Sequence, residues 1–178
     1  MIVLGIDPGL RLTGYAAVRA DPGRPADAPA LVEAGVIRLD ASAPVAARLV
    51  ELERDLAGIV ARLAPTCAFV EKLFAHYKHP TTAIAMGHAR GVCLLAVHRA
   101  GVEVAELAAT EVKKATTGGG HASKRQMQLA VQALLGLPEP PSPPDVADAI
   151  AIALTGARRR TSTAPSPGAP SLASARSI

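Results

Sequence analysis

Between residues 2 and 71 the apolar positions change period twice. Ile2 to Asp7 is an apolar run closed by Asp-Pro-Gly, where Pro8 fixes φ and Gly9 accepts a left-handed backbone. Thr13 to Ala20 then returns as a second strand, so the pair predicts a hairpin. Asp21 to Pro29 is a surface loop rich in Pro, Asp and Gly, and Leu31 to Leu39 supplies a third strand, which starts the sheet antiparallel. From Ser42 onward Val45, Leu49, Leu52, Leu56, Ile59, Val60 and Leu63 recur at steps of three and four, the stripe of an amphipathic helix that Pro65 ends. Cys67 to Val70 is wholly apolar, as a strand covered on both faces after a helical crossover must be, and it stops at Glu71.

Residues 72 to 79 form a polar loop containing Lys72, Phe74, Tyr77 and Lys78. Thr81 to Arg99 reads as a long helix in which Ala83, Gly87 and Gly91 permit close approach to a neighbour, and Val102 to Ala105 as a fifth strand. Thr110 to Thr116 is a short helix before the joint Gly118-Gly119-Gly120. Ser123 and Gln126 then make a capping box for a helix ending near Gly136. After the prolines from Pro138 to Pro144, Asp145 to Thr155 is the last helix, which gives one domain over 1–155. Residues 156–178, small residues, Pro and Arg with little to bury, are expected to be a disordered basic tail. Strands and helices in this order predict an α/β sheet with helices on its faces.

Of 178 residues 49% are apolar, enough for one core, yet the aromatic residues are only Tyr15, Phe69, Phe74 and Tyr77. No apolar run reaches the roughly 18 residues of a membrane span, and nothing resembles a signal peptide, so a soluble cytoplasmic protein is expected. Cys67 and Cys93 lie in apolar segments without metal-ligand spacing and are expected to be reduced and packed. The net charge of +4 comes entirely from residues 156–178. Within the neutral remainder, residues 72–125 carry eight Lys and Arg against three Glu, whereas residues 1–71 and 126–155 are acidic. Basic residues therefore gather mid-chain while Asp7, Glu71, Asp145 and Asp148 fall in or at the margin of acidic segments, the pattern of an acidic site working beside a polyanion.

Asp7 and Glu71 each end an apolar strand; if those strands are parallel neighbours, both carboxylates leave the same edge of the sheet, where open α/β sheets place their sites. Asp145 and Asp148 share a face of the last helix near its start. Four such acids at one point would repel unless protonated or bound to cations, and an all-oxygen set suits Mg²⁺ or Mn²⁺. Two ions about 4 Å apart activate a water and stabilise the leaving oxygen of a phosphodiester. Taken singly, Asp7 is also an Asx-turn residue, Asp145 a helix cap and Asp148 an exposed first-turn acid; Glu71 has no such role.

Gly5-Ile6-Asp7-Pro8-Gly9 with Thr13-Gly14-Tyr15, Val70-Glu71 with Phe74, Gly87-His88-Ala89-Arg90-Gly91-Val92, Val112-Lys113 with Gly118, Gly120, Ala122 and Lys124, and Asp145 through Ala153 run in one order along residues 2 to 155. Together they resemble the RuvC family, bacterial crossover junction endodeoxyribonucleases that resolve Holliday junctions. The resemblance implies a ribonuclease H-like mixed five-stranded sheet flanked by helices. It also implies metal-holding and catalytic roles for Asp7, Glu71, Asp145 and Asp148, and symmetric nicks leaving 5′-phosphate and 3′-hydroxyl ends. A homodimer with two equivalent sites suits a four-way junction, and cooperation with RuvA and RuvB is implied as well. The helix bearing Gly87 and Gly91 is a candidate dimer contact; packing on its own sheet is the alternative.

Phe74, an aromatic in a polar loop three residues after Glu71, is placed to stack on an exposed base, and Tyr77 with Lys78 could assist. Lys113, Lys114, Lys124 and Arg125 flank the glycines; Lys124 and Arg125 occupy a first helical turn, where cations oppose the dipole and free N–H groups bind phosphate. Lys124 is expected to reach the scissile phosphate. Among the histidines only His76 and His79 have an i,i+3 spacing, which a loop need not place together, and the sequence does not decide whether His121, beside the glycines, approaches the DNA. The chain departs from the family pattern at Lys72 and through His76-Tyr77-Lys78-His79-Pro80, so sequence preference does not carry over. Two other readings compete. ATP-binding proteins of the actin and hexokinase type have a similar sheet but pair two such domains around the nucleotide, and a non-catalytic junction-binding module would not need four acids.

Overall fold

The computed structural model describes residues 1–21, 23, 28–72 and 80–163. Along them run β1 (Ile2–Asp7), β2 (Leu12–Arg19), β3 (Ala30–Arg38), α1 (Val45–Leu63), β4 (Cys67–Glu71), α2 (Pro80–Arg99), β5 (Glu103–Leu107), α3 (Ala109–Thr117), α4 (Lys124–Leu135) and α5 (Pro144–Thr163). The sheet order is β3-β2-β1-β4-β5, with β1, β2 and β3 antiparallel in turn and β1, β4 and β5 parallel. This is the ribonuclease H-like arrangement that the resemblance implies. The ends of β1, β3, β4 and β5 and the start of β2 all emerge at one edge.

The hairpin that begins this edge is closed by a side chain. Buried Thr13 donates its hydroxyl to the Gly9 carbonyl at 2.7 Å and accepts from the Gly9 amide at 3.2 Å.

Strand alternation sorts the core into two layers. Leu4, Ile6, Ala68 and Val70 pack with Leu52, Leu56 and Val60 of α1 and with Ala89, Cys93 and Val97 of α2. Val3, Cys67 and Phe69 face the other way, into a layer with Val112, Met127, Val131 and the apolar stripe of α5. α5 lies unusually close. A Cβ on Gly5 would stand 2.4 Å from the Ala149 carbonyl oxygen and the Ala153 amide nitrogen, one on Gly14 would stand 2.1 Å from the Asp145 carbonyl oxygen, and one on Gly156 would enter the Phe69 ring. Bare glycine backbone and the alanines of α5 let helix and sheet touch main chain to main chain.

The expectation that residues 156–178 form a disordered tail is corrected over its first part. α5 continues to Thr163, because Ala157 is fully buried and the following arginines find partners. Arg158 donates to the Ala115 carbonyl at 3.2 Å, and Arg160 forks onto both carboxylate oxygens of Glu103 at 3.0 and 2.8 Å. Residues 164–178 lie outside the described part. The capping box is as read from sequence: the Gln126 amide donates to Ser123 Oγ at 3.3 Å and the Ser123 amide to Gln126 Oε1 at 2.8 Å. Both cysteines are buried thiols, and burial pushes Cys93 up to about 12, which suits packing and not chemistry. Gly91 meets nothing within 4 Å, so packing on its own sheet does not explain it.

Candidate active site

Asp7 follows Val3 and Gly5 at steps of two, and Glu71 follows Cys67 and Phe69 in the same way, so alternation aims both carboxylates at the face that α5 covers. The parallel register pairs Ile6 with Val70, which leaves Asp7 and Glu71 one position further on, side by side at the strand ends. Adjacent strands are about 4.8 Å apart. The glycine contacts of α5 bring its first turn to the same edge. Asp7, Glu71 and Asp148 accordingly line one cleft of about 250 Å³ with Lys113, Lys124, Ala109, Met86 and Met127.

Asp145 lines the neighbouring cleft with Arg11, Leu12, Arg38, Leu39 and Ala41, and from there its charge acts on Asp7 and Asp148. It lies inside the first turn of α5 rather than capping it, and Asp148 is half-buried rather than exposed.

Burial and mutual repulsion raise the pKa values of the acids. Asp7 is pushed up to about 8, by burial first and then by the charges of Asp148, Glu71 and Asp145, against the opposing pull of Lys124. Glu71 is raised by burial and by Asp148, with Lys113 opposing. Asp148 is raised by burial and by Asp145, with Lys124 and Lys113 opposing. Two lysines are thus insufficient compensation. Among the described residues no three of His, Cys, Asp or Glu are drawn together as a ready-made ligand set for a metal ion. The acids ring an open cleft, and an all-carboxylate oxygen set at uncompensated negative charge is the donor chemistry that Mg²⁺ or Mn²⁺ accepts and Zn²⁺ does not favour.

Two arginines that sequence reasoning passed over hold the backbone of the site. Arg90 of α2 donates from Nε to the Glu71 carbonyl at 3.3 Å and pairs with Glu106 on β5. The Lys72 amide extends the β4–β5 ladder to the Leu107 carbonyl at 2.8 Å, so Glu71 is fixed from both sides. Arg48 of α1 donates to the Leu10 carbonyl at 3.1 Å, just beyond the Asp-Pro-Gly turn. Arg90 belongs to a segment that carries the family resemblance; Arg48 has no signature in the sequence. Of the basic residues expected at the DNA, Lys113 and Lys124 reach the cleft, whereas Lys114 and Arg125 are exposed outside its lining. Phe74, Tyr77, Lys78, His76 and His79 lie outside the described residues, and His121 lines a separate groove between α3 and α4.

A family model described as crossover junction endodeoxyribonuclease RuvC matches residues 3–156. The chain belongs to the RuvC family. It is 48% identical over 154 residues to the RuvC of Rhodopirellula baltica, covering 86% of this chain and 84% of that one. It is 42% identical to the RuvC of Desulforamulus reducens, covering 89% and 94%. Among solved structures, Thermus thermophilus RuvC in complex with Holliday junction substrate superposes with a TM-score of 0.80 at 33% identity, over 91% of this chain and 96% of that one. The yeast mitochondrial Holliday junction resolvase Ydc2, at 13% identity and a TM-score of 0.61, shares the fold. This RuvC-family chain is therefore an enzyme of the crossover junction endodeoxyribonuclease class. Among the described residues no helix is long and apolar enough to cross a membrane.

Proposed function

We propose that this chain resolves four-way DNA junctions in recombination and repair, cutting two strands of like polarity to leave 5′-phosphate and 3′-hydroxyl ends. The observation that carries the reading is the cleft in which Asp7, Glu71 and Asp148 face Lys113 and Lys124. Asp7, Glu71, Asp148 and, from the adjoining cleft, Asp145 would hold Mg²⁺ or Mn²⁺, two ions per site, supplying an activated water and charge stabilisation at the leaving oxygen. Lys113 and Lys124 draw the phosphate toward the acids. The start of α4 offers free N–H groups beside Lys124, so side chain and helix end bind the same anion. Met86 and Met127 wall the cleft with apolar surface. Phe74, with Tyr77 and Lys78, would meet the opened bases at the junction centre, and Lys114 and Arg125 would meet flanking phosphates.

The test is a synthetic four-way junction incubated with Mg²⁺ or Mn²⁺. Paired nicks at symmetric positions are expected; ATP hydrolysis without nicking would return the actin-like reading. The family resemblance supports work in the cytoplasm alongside RuvA and RuvB.

Bound metal relieves the repulsion among the acids, so Mg²⁺ is expected to raise the melting temperature. The folded-state pKa values of Asp7, Glu71 and Asp148 lie above their ordinary ones. The contribution of these three groups to metal-free stability is therefore full in acid and is lost as pH rises from about 4 toward 8. The Mg²⁺-induced shift should be larger at pH 8 than at pH 5, and equal shifts at both would remove these carboxylates as ligands.

The two sites of a resolvase require two copies, and α2 offers the contact. Ile84 is 61% and Leu95 45% exposed, and with Gly91 they fall on one helix face. Replacing Ile84 and Leu95 together by Glu is expected to shift sedimentation from dimer to monomer; an unchanged dimer would put the contact elsewhere.

A further inference from the structure

Beside the acidic cleft, on the β2–β3 side of the same sheet edge, lies a second cleft of about 550 Å³ lined by Arg11, Arg38 and Asp145. Both guanidinium-bearing residues are exposed, and among the described residues neither arginine side chain has a hydrogen-bond or ion-pair partner, even though a carboxylate lines the same cleft. Their backbones are nevertheless held. The Leu39 amide donates to the Arg11 carbonyl at 3.0 Å, Arg48 grips the Leu10 carbonyl, and Leu12 pairs with Arg38 across the β2–β3 ladder. Two unpaired cations on a fixed turn and a strand end differ from lysines swinging on a helix surface: guanidinium forks match phosphate oxygens, and little order is lost when they bind.

Their position along the edge gives them a role. Across the strand order the charges read Arg38 and Arg11, then Asp145, Asp7, Asp148 and Glu71, then Lys113 and Lys124. Arg38 stands two strands from Asp7, about 10 Å sideways. The carboxylates are thus flanked by cations on both sides, and only the lysine side was expected from the sequence. A nucleic-acid strand crossing the edge brings one phosphate to the acids and its neighbours over the cations.

We infer that Arg11 and Arg38 form a phosphate-holding cleft for the strand being cut, on the side of the acids opposite Lys113 and Lys124. The inference rests on the proposed junction-cutting function and adds the path of the strand. It gives the edge a direction: the strand runs from the β3 side across the acids toward α3 and α4.

The experiment measures binding of the full chain to a fluorescently labelled four-way junction without divalent metal, across about 50 to 200 mM salt. Each lost phosphate contact flattens the dependence of log affinity on log salt by about 0.7 to 0.9. Replacing Arg11 and Arg38 together by Ala should therefore flatten it by roughly 1.4 to 1.8, with the affinity loss greatest at the low-salt end. Arg19→Ala, an exposed arginine at the opposite end of β2, should leave the slope unchanged. Replacing Arg11 and Arg38 together by Lys keeps the charge and should restore most of it. The proposal is overturned if the alanine pair keeps the wild-type slope, or if the lysine pair is as flat as the alanine pair, since the loss would then be structural. Wild type that neither binds nor nicks the junction would instead remove the proposed function itself.

Discussion

Glu71→Gln is expected to bind a four-way junction and fail to cut it. The substitution keeps the size of the side chain and the backbone grip of Arg90, and removes one charged oxygen from the cleft. Electrostatic support from a metal site is worth several kcal/mol, so single-turnover cleavage should fall on the order of a thousandfold. A second signature separates loss of a ligand from loss of the fold. Burial and Asp148 hold the folded-state pKa of Glu71 above its ordinary value, so the charged carboxylate destabilises the metal-free protein once pH rises through that value. Metal-free Glu71→Gln should consequently melt above wild type at pH 8, and the two should converge toward pH 4. A variant that cuts at the parental rate, or that melts lower at pH 8, would contradict the placement of Glu71 in the site.

Gly5→Val should unfold the enzyme at a temperature where wild type is intact. Nothing at position 5 can yield cheaply, because the atoms that a Cβ would meet are the main chain of Ala149 and Ala153 and not the tip of a flexible side chain. Overpacking at such a contact costs about 3 kcal/mol, which for a domain of this size lowers the melting temperature by roughly 6 to 12 °C. Below its melting point the variant should still cut poorly. A 1 Å displacement of a positioned group can cost about a hundredfold, and lifting α5 moves Asp148 away from Asp7. Differential scanning calorimetry with a cleavage assay tests both parts; a variant melting within a degree of wild type would show that α5 does not rest on Gly5.

Much of this arrangement was legible in the sequence where the signal is local. The stops of β1 at Asp7 and β4 at Glu71, the α1 stripe and the Ser123–Gln126 box all follow from periodicity or from capping chemistry within a few residues. What escaped depends on partners distant in the chain. Residues 156 to 163 lack large apolar groups, so they read as tail; Phe69 against Gly156 and Glu103 against Arg160 make them helix. The separation of Asp145 from Asp148 into two clefts depends on how α5 meets β2, which spacing within α5 cannot reveal. The shared face of Asp7 and Glu71 was readable from alternation once the strands were known to be parallel neighbours.

Because α5 touches the sheet at Gly14, Gly5 and the ring of Phe69, it behaves as a ruler pinned at three marks. Inserting or deleting one residue between Asp148 and Gly156 would turn its upstream part by about 100° on the helical screw and swing both acids off the edge. The length of this stretch is therefore fixed by the contacts at its two ends.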